Sequence, residues 1–594
     1  MVMDSKLSLH GNGNWFTLRL MLLLAGVIVS FGLIQGRDET AVSATTLHQA
    51  YLPIVATEPY PFQSIRPAFG VNFINSVDHP ATTQMLANGH ATGATWNRWP
   101  LYWHRIETSP GHFDWSQHDS VVLTDWEAGF QTNAILLGTP GFYMTGTLAD
   151  LFTASPSREA APGRIALTAV QSATPQGLYL PVFTDGTDIP GHGKTINADN
   201  RWARFVFLIV DRYRPGGILT ETYGLPPNVG ITHWEMWNEP DFDAFWNGTE
   251  ADYARLLKVG YLAAKQADPQ AQILFGGLAN NQRLNFYRDI LNIFQADPMA
   301  SAYDYFHDVM VTHNYSNSWR SWYEVWRVGR ALGDYGLDKP IWLNESGVPA
   351  WNDYPGPVWD PLSAWRATES EQADFVIQSA FYALFAGADG IFHFQLYDGC
   401  GNQPLGTDFP PHNGELCDEN GRLITNPDFP CAGDANGLFS NPSDAVCFSQ
   451  HPQPESPRSN FAAFQLLPTY MNEVAPLWRA RPGGTDPYDG PQEHIAFYNT
   501  ELEARIIGMW ARFGQTETAV VTAHNSSAQL LYPDGTVETI YPQNGVYTIV
   551  LPPATNQGNP FQPGIYQIGG PPRILVESGP PAANLVGPPV LLSP

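Results

Sequence analysis

The sequence predicts an α/β protein: a (β/α)8 TIM barrel followed by a C-terminal β-sandwich. Three observations carry this. Between residues 65 and 478, short apolar runs alternate with amphipathic stretches, the pattern of βα units and a parallel sheet. Eight of the runs read as strands: Ala68–Phe73, Ala94–Arg98, Thr132–Leu137, Thr232–Trp237, Ile273–Gly277, Val309–His313, Ile341–Asn344 and Gly390–Leu396. From 479 onward the texture changes to strand-like runs separated by turn signals, as in a sandwich.

The elements follow in chain order. Lys6 and Arg19 precede an apolar run from Leu20 to Ile34, and Arg37, Asp38 and Glu39 follow it. Such a run suits a signal-peptide core and is short for a spanning helix. Residues 1–44 therefore read as a signal peptide, with small residues at Ala41-Val42-Ser43-Ala44 for cleavage, or as an uncleaved N-terminal membrane anchor. Either reading places the rest of the chain outside the cell. Residues 45–64, with Pro53, Pro59 and Pro61, read as a linker.

Within 65–478, helices are expected at Trp202–Tyr213, Tyr253–Ala267 and Glu371–Phe385. Two long loops interrupt the alternation. One runs from Tyr143 to Asn200 and one follows the eighth strand. Both leave strand C-termini, the end of a barrel where active sites sit. The second loop holds all four cysteines, Cys400, Cys417, Cys431 and Cys447. In an exported chain this clustering predicts two disulfides, with the three pairings open. A zinc site is the rival, but neither CxxC nor HxxxH spacing is present. The acidic, Asn-rich loop also offers oxygen ligands of the kind that hold calcium. The last segment, 479–594, has strand-like runs at Arg505–Trp510, Ala519–Ala523 and Val546–Leu551. Asp534-Gly535 and Asn544-Gly545 flank Thr536–Tyr541 and carry hairpin signatures. From Gly579 the tail is rich in proline.

Composition narrows the function. With 57 acidic and 30 basic residues the net charge is -27, which argues against nucleic acid as a partner. The 19 Trp and 25 Tyr supply flat faces that stack on sugar rings, although most are accounted for by core packing. No cofactor motif is present, and strand ends lack the His/Asp cluster that a metal-dependent hydrolase needs.

Two strand ends carry carboxylates. In His233-Trp234-Glu235-Met236-Trp237-Asn238-Glu239-Pro240, alternation puts Glu235 and Trp237 on one face and Trp234 and Met236 on the other. Asn238 and Glu239 fall where strand passes into loop. A carboxyl group held there among aromatic rings is expected to have a raised pKa, as a general acid requires. Helix-capping chemistry is the plainer reading of Asn-Glu-Pro-Asp, but it leaves a second acidic strand end unexplained. That end is Lys339-Pro340-Ile341-Trp342-Leu343-Asn344-Glu345-Ser346-Gly347. Glycoside cleavage uses such a pair, one acid to protonate the leaving oxygen and one carboxylate to attack or to activate water.

Trp237-Asn238-Glu239-Pro240 ending one strand and Glu345-Ser346-Gly347 ending a later one resemble the clan A glycoside hydrolases. Phe245-Trp246, Tyr253 and Gly276-Gly277 make the stretch most similar to family 39, which includes β-xylosidases and α-L-iduronidases. Trp103-His104-Arg105-Ile106-Glu107 and Gly111-His112-Phe113-Asp114-Trp115 fit the same clan. The resemblance implies a retaining glycosidase, with Glu239 after strand four as acid/base and Glu345 after strand seven as nucleophile. It implies that Asn238 bonds a sugar 2-hydroxyl and that Tyr315, in His313-x-Tyr315, bonds the nucleophile. Arg98 resembles a residue that supports the nucleophile carboxylate; a structural ion pair is its alternative. Gln395 and Tyr397, read as eighth-strand residues, are expected to line the sugar site where the clan often has Trp. Asn344 departs from the pattern, which has Thr before the nucleophile. The expected partner is a carbohydrate substrate. A non-catalytic carbohydrate-binding protein and a transglycosylase are the alternatives.

Overall fold

The computed structural model describes residues 64–144, 174–243, 245–350, 367–398, 435–443, 452–484, 489–557 and 564–580, and the backbone of strands 403–404 and 416–417. The expected signal or anchor, most of the linker, the end of the proline-rich tail, and Cys400, Cys431 and Cys447 lie outside these residues. For Cys417 only the backbone is described.

Eight parallel strands form one sheet. They are β1 (Ala68–Asn72), β2 (Trp96–Tyr102), β3 (Gln131–Leu137), β4 (His233–Met236), β5 (Gln272–Phe275), β6 (Met310–Tyr315), β7 (Ile341–Gly347) and β8 (Gly390–His393). Their order is β5-β4-β3-β2-β1-β8-β7-β6. Parallel bridges Leu274–Val309 and Leu278–Thr312 join β5 to β6 and close the barrel. A helix follows each strand: α1 (Thr83–Ala91), α2 (Ser116–Glu127), α3 (Arg201–Tyr213), α4 (Glu250–Ala267), α5 (Phe286–Gln295), α6 (Ser318–Asp334), α7 (Glu369–Ala386) and α8 (Ser459–Tyr470). Thr249 and Thr368 start α4 and α7 with capping boxes, closed by Asp252 and Glu371.

The barrel interior is layered. At its base, Trp96, Trp342 and Phe392 pack with Leu274, Val309 and Val311. Gly390 makes room for them, since a Cβ there would lie 2.8 Å from the Trp342 ring. Above this apolar plug sits a polar layer of buried Arg98, Asn133, Glu235 and Asn344. Such layering is how a small barrel fills its interior.

Two local departures from strand geometry shape the open end. β4 stops at Met236, and Trp237 has φ 79°. The expected sharing of a face by Glu235 and Trp237 therefore fails. Trp237 packs between Trp202 and Trp246 and donates its indole N–H to Phe245 O at 2.7 Å. On β7, Leu343 pairs with Thr312 but Glu345 pairs with His313, so Asn344 is an extra residue. The same shift occurs against β8. This bulge lets consecutive side chains, Asn344 and Glu345, both reach inward.

The second body is an antiparallel sandwich. Its larger sheet has the order β9-β10-β11-β16-β13-β14, from Val474–Ala480 (β9), Gln492–Asn499 (β10), Ala504–Ala511 (β11), Arg573–Ser578 (β16), Ala528–Leu531 (β13) and Val537–Ile540 (β14). The sheet thus begins at Val474, ahead of the change in texture at 479. β12 (Glu517–Thr522) and β15 (Val546–Leu551) form the facing sheet. Asp534-Gly535 makes the β13–β14 hairpin as expected. Asn544-Gly545, at φ 53° and 78°, also makes its tight two-residue turn, closed by the antiparallel bridge Gln543–Val546, but the chain then diverges, because β14 and β15 belong to different sheets.

Every residue of β10 and β11 is buried. One face meets β12 and β15, and the other meets α7, where Phe497 packs on Phe381 and Phe385 and Trp510 packs on Tyr382. This double cover also explains α7, whose residues from Glu371 to Leu384 are all buried. Among the described residues no helix is long and apolar enough to cross a membrane.

Candidate active site

The polar layer opens into a cavity of about 730 Å³ at the C-terminal end of the strands. Arg98, Asn238, Glu239, His313, Tyr315 and Glu345 all line it. The structure thus brings together six of the eight residues singled out as catalytic or sugar-binding from the sequence.

Arg98, buried to 1% exposure, organises the floor. It donates to both oxygens of Glu235 at 2.9 Å, to Glu345 Oε1 at 2.5 Å and to Asn238 Oδ1 at 2.8 Å. Both readings of Arg98 therefore apply: it is a structural ion pair with Glu235 and a direct partner of Glu345. The Tyr315 hydroxyl donates to the other oxygen of Glu345 at 2.6 Å. Asn238 accepts from Arg98 through its carbonyl, so its amide N–H groups remain without a protein partner among the described residues.

Glu239 is placed by its loop. It has φ 44°, an uncommon conformation for a residue with a side chain. Its N–H donates to Gly277 O at 2.9 Å. Asp241 accepts from Ala279 N and Asn280 N at 2.9 and 2.7 Å, tying the β4 loop to the β5 loop. His313 Nδ1 lies 2.8 Å from Glu239 Oε1 and 3.5 Å from Glu345 Oε2. One atom each of Glu239, His313 and Glu345 fall within 4.8 Å of one another. Gly277 makes this packing feasible, because a Cβ there would lie 1.9 Å from His313 Nε2.

The two carboxyl groups are driven in opposite directions. Burial raises the pKa of Glu239, and the charges of Glu345 and Asp241 add to it, outweighing His313. Burial also pushes Glu345 up, but His313, Arg98 and the Tyr315 hydrogen bond overcome it and hold Glu345 below the ordinary range. The pair therefore favours one protonated and one ionised carboxyl group.

Two carboxylates and an imidazole are also metal-ligand types. Their surroundings do not suit a cation. Arg98 and Tyr315 already occupy both oxygens of Glu345, and the guanidinium adds positive charge where an ion would sit.

Gln395 and Tyr397 do not line the cavity. Strand β8 ends at His393, and Phe394 is the residue that reaches in, edge-on to Phe73 and Tyr315. Tyr397 instead donates to Glu455 and accepts from Asn88, both at 2.8 Å. Sequence reasoning missed the roles of Glu235 and Asn344. Glu235 was legible in principle, since strand parity turns it inward from β4. Asn344 was not, since its orientation depends on the bulge.

No protein-family model and no curated protein matches the sequence. Among solved structures, a family 39 glycoside hydrolase from the gut symbiont Bacteroides cellulosilyticus WH2 is similar at TM-score 0.50 and 14% identity, over 86% of this chain and 81% of its own. A GH30 endoxylanase from Clostridium papyrosolvens C71 is similar at TM-score 0.49 and 11% identity, over 87% and 97%. A monomeric β-xylosidase from Caulobacter crescentus CB15 gives 0.47 and 12%, over 86% and 96%. At such identity the first of these establishes a shared fold.

Proposed function

We propose that this chain is a retaining glycoside hydrolase that cleaves O-glycosidic bonds of oligo- or polysaccharides. One observation carries the reading: two buried carboxyl groups face each other across a cavity, oxygens within 4.8 Å, one pushed toward protonation and the other toward ionisation. Retaining enzymes hold their pair about 5–5.5 Å apart, whereas inverting ones leave about 6.5–9.5 Å for a water. The resemblance of the two glutamate motifs to clan A and the shared barrel support the same reading.

Glu345 attacks the anomeric carbon as Glu239 gives its proton to the leaving oxygen. A glycosyl ester on Glu345 results. Glu239, now ionised, takes a proton from water, which displaces Glu345 and restores both groups. The free amide N–H groups of Asn238 are positioned to bond a sugar hydroxyl. Arg98 and Tyr315 stabilise Glu345 as an anion before attack and after release.

A screen of aryl glycosides and polysaccharides, followed by NMR of the first-formed anomer, tests this. Hydrolysis with retained configuration is expected. Inverted product, or binding without hydrolysis across the screen, overturns it. Transfer to an added sugar acceptor in preference to water redefines the enzyme as a transglycosylase. The proposal extends to export, which the N-terminal run supports, and to two disulfides among Cys400, Cys417, Cys431 and Cys447. Thiol titration of the unfolded, unreduced protein should find none free; four free thiols overturn that part.

A further inference from the structure

On the glycosidase reading above, we propose that His313 acts as an imidazolium that directs the proton of Glu239 onto the carboxyl oxygen facing the cavity, with Asn344 holding His313 in that role. Both are positioning residues. The argument begins at Asn344, the extra residue of the β7 bulge. Its amide nitrogen lies 2.8 Å from Glu235 Oε2 and 3.0 Å from Asn133 Oδ1. Glu235, gripped at both oxygens by Arg98, offers only acceptors there. The Asn344 side chain is thereby oriented, and its Oδ1 is what faces His313 Nε2, at 3.0 Å. Nε2 must carry a hydrogen.

Nδ1 faces two carboxyl oxygens, Glu239 Oε1 at 2.8 Å and Glu345 Oε2 at 3.5 Å. The groups around the ring are Glu239 from the β4 end, Glu345 from β7, Arg98 from β2 and, on its own strand, Tyr315; Asp241 acts from further off. With His313 protonated, Arg98 and His313 balance Glu235 and Glu345 inside the buried layer. With His313 neutral, the layer carries an uncompensated negative charge, which burial penalises. Burial opposes the imidazolium, but Glu345 and Glu239 outweigh it and raise the pKa of His313.

The two protonation states differ in what Glu239 can do. An imidazolium donates Nδ1–H to Oε1, so the acid proton of Glu239 sits on Oε2, which has no protein partner among the described residues. A neutral ring accepts at Nδ1, so the proton lies between Oε1 and Nδ1, turned away from a leaving oxygen. In the first half-reaction the Oε2 proton passes to the leaving oxygen and the bond from carbon to that oxygen breaks. The resulting Glu239 anion keeps the Nδ1–H bond. In the second half, a proton from water returns to Oε2 as the ester of Glu345 breaks. His313 neither gains nor loses a proton in either step.

Neutron diffraction from crystals of the full chain in heavy water, at the pH of greatest activity, reads these positions directly. Deuterium is expected on both nitrogens of His313 and on Glu239 Oε2. A ring bare at Nδ1, or deuterium on Oε1, overturns the proposal. Kinetics give a second reading through Asn344→Leu, which removes the acceptor for Nε2–H. On an alkyl glycoside, kcat/KM should fall about tenfold more than on a dinitrophenyl glycoside, whose leaving group needs no proton. The alkaline limb of the pH profile should move to lower pH, because the imidazolium loses its proton more readily. Equal losses on both substrates with an unmoved limb overturn the proposal. If the wild-type enzyme hydrolyses no glycoside, the functional reading has failed, while the neutron result still decides the state of His313.

Discussion

The cavity floor and the seam between barrel and sandwich bury similar devices. At the floor, Glu345 accepts from Arg98 at 2.5 Å and from the Tyr315 hydroxyl at 2.6 Å. At the seam, Glu493 on β10 accepts from Arg479 at 2.8 and 3.1 Å, from Arg481 at 2.9 Å and from the Tyr382 hydroxyl at 2.8 Å. Each is a glutamate held by arginine and tyrosine. They differ in what else they face. Glu493 is fully buried and already receives four hydrogen bonds, so a ligand has no access to it. Glu345 opens on a cavity and faces a second carboxyl group of opposite tendency. A buried ion pair alone therefore says little about function. A carboxylate that lines a cavity beside a group poised in the other protonation state says much more.

The sharpest way to break this contrast is Glu345→Ala. Loss of the nucleophile should cost about 10⁵-fold in kcat/KM on every substrate, with the fold retained. Added azide should restore some turnover and give a glycosyl azide of inverted configuration. A variant that unfolds would make Glu345 a structural residue like Glu493.

Glu239→Ala should act more selectively. Loss of the general acid is expected to cost about 10²–10⁴-fold on unactivated glycosides. On an activated aryl glycoside the first step should slow far less, and azide should give a product of retained configuration. Azide products of the opposite stereochemistry in the two variants would exchange the roles of the glutamates.

Glu493→Ala is the control from the seam. It leaves Arg479 and Arg481 without their carboxylate, and breaking such a buried pair costs about 3–5 kcal/mol. Chemical denaturation should show that loss, while kcat per folded molecule stays at the wild-type value. A fall in kcat at full folding would mean that the sandwich tunes the active site through α7.

The barrel was legible because each strand is an apolar run bounded by turn residues, and all eight appear where those runs lie. The glutamates were legible because each follows an apolar run within a short motif, Asn238-Glu239-Pro240 or Glu345-Ser346-Gly347. Side-chain direction beyond the strand ends was not. Parity predicts direction only while the backbone stays extended, and a single left-handed residue at Trp237 or an extra one at Asn344 resets it. Phe394 was missed in favour of Gln395 because β8 was read three residues too long, to Leu396 rather than His393. The seam was also hidden. The apolar surround of α7 looks in sequence like any helix against a barrel, and only the sandwich sheet on its far side explains it.

The smallest effect expected is a pH dependence that separates the seam from the floor. Burial pushes Glu493 up, but Arg479 and Arg481 overcome it and hold its pKa at about 2, below the ordinary 4.5. A carboxyl group held lower in the folded state binds fewer protons than in the unfolded chain. Its stabilisation is full above the unfolded pKa and is lost as pH falls through the folded one. The neutral isostere Glu493→Gln lacks this dependence at its site. Urea midpoints of wild type and Glu493→Gln should therefore differ most above about pH 5 and converge toward pH 2. Glu239 has the opposite sign: its folded pKa is raised, so what it contributes is present at low pH and lost as pH rises. Glu239→Gln should accordingly lie closest to wild type in acid and gain on it as pH rises and the wild-type group ionises while buried. A difference between wild type and Glu493→Gln that stays constant with pH would mean that Glu493 is not held as an anion, and the likeness of seam and floor would fall.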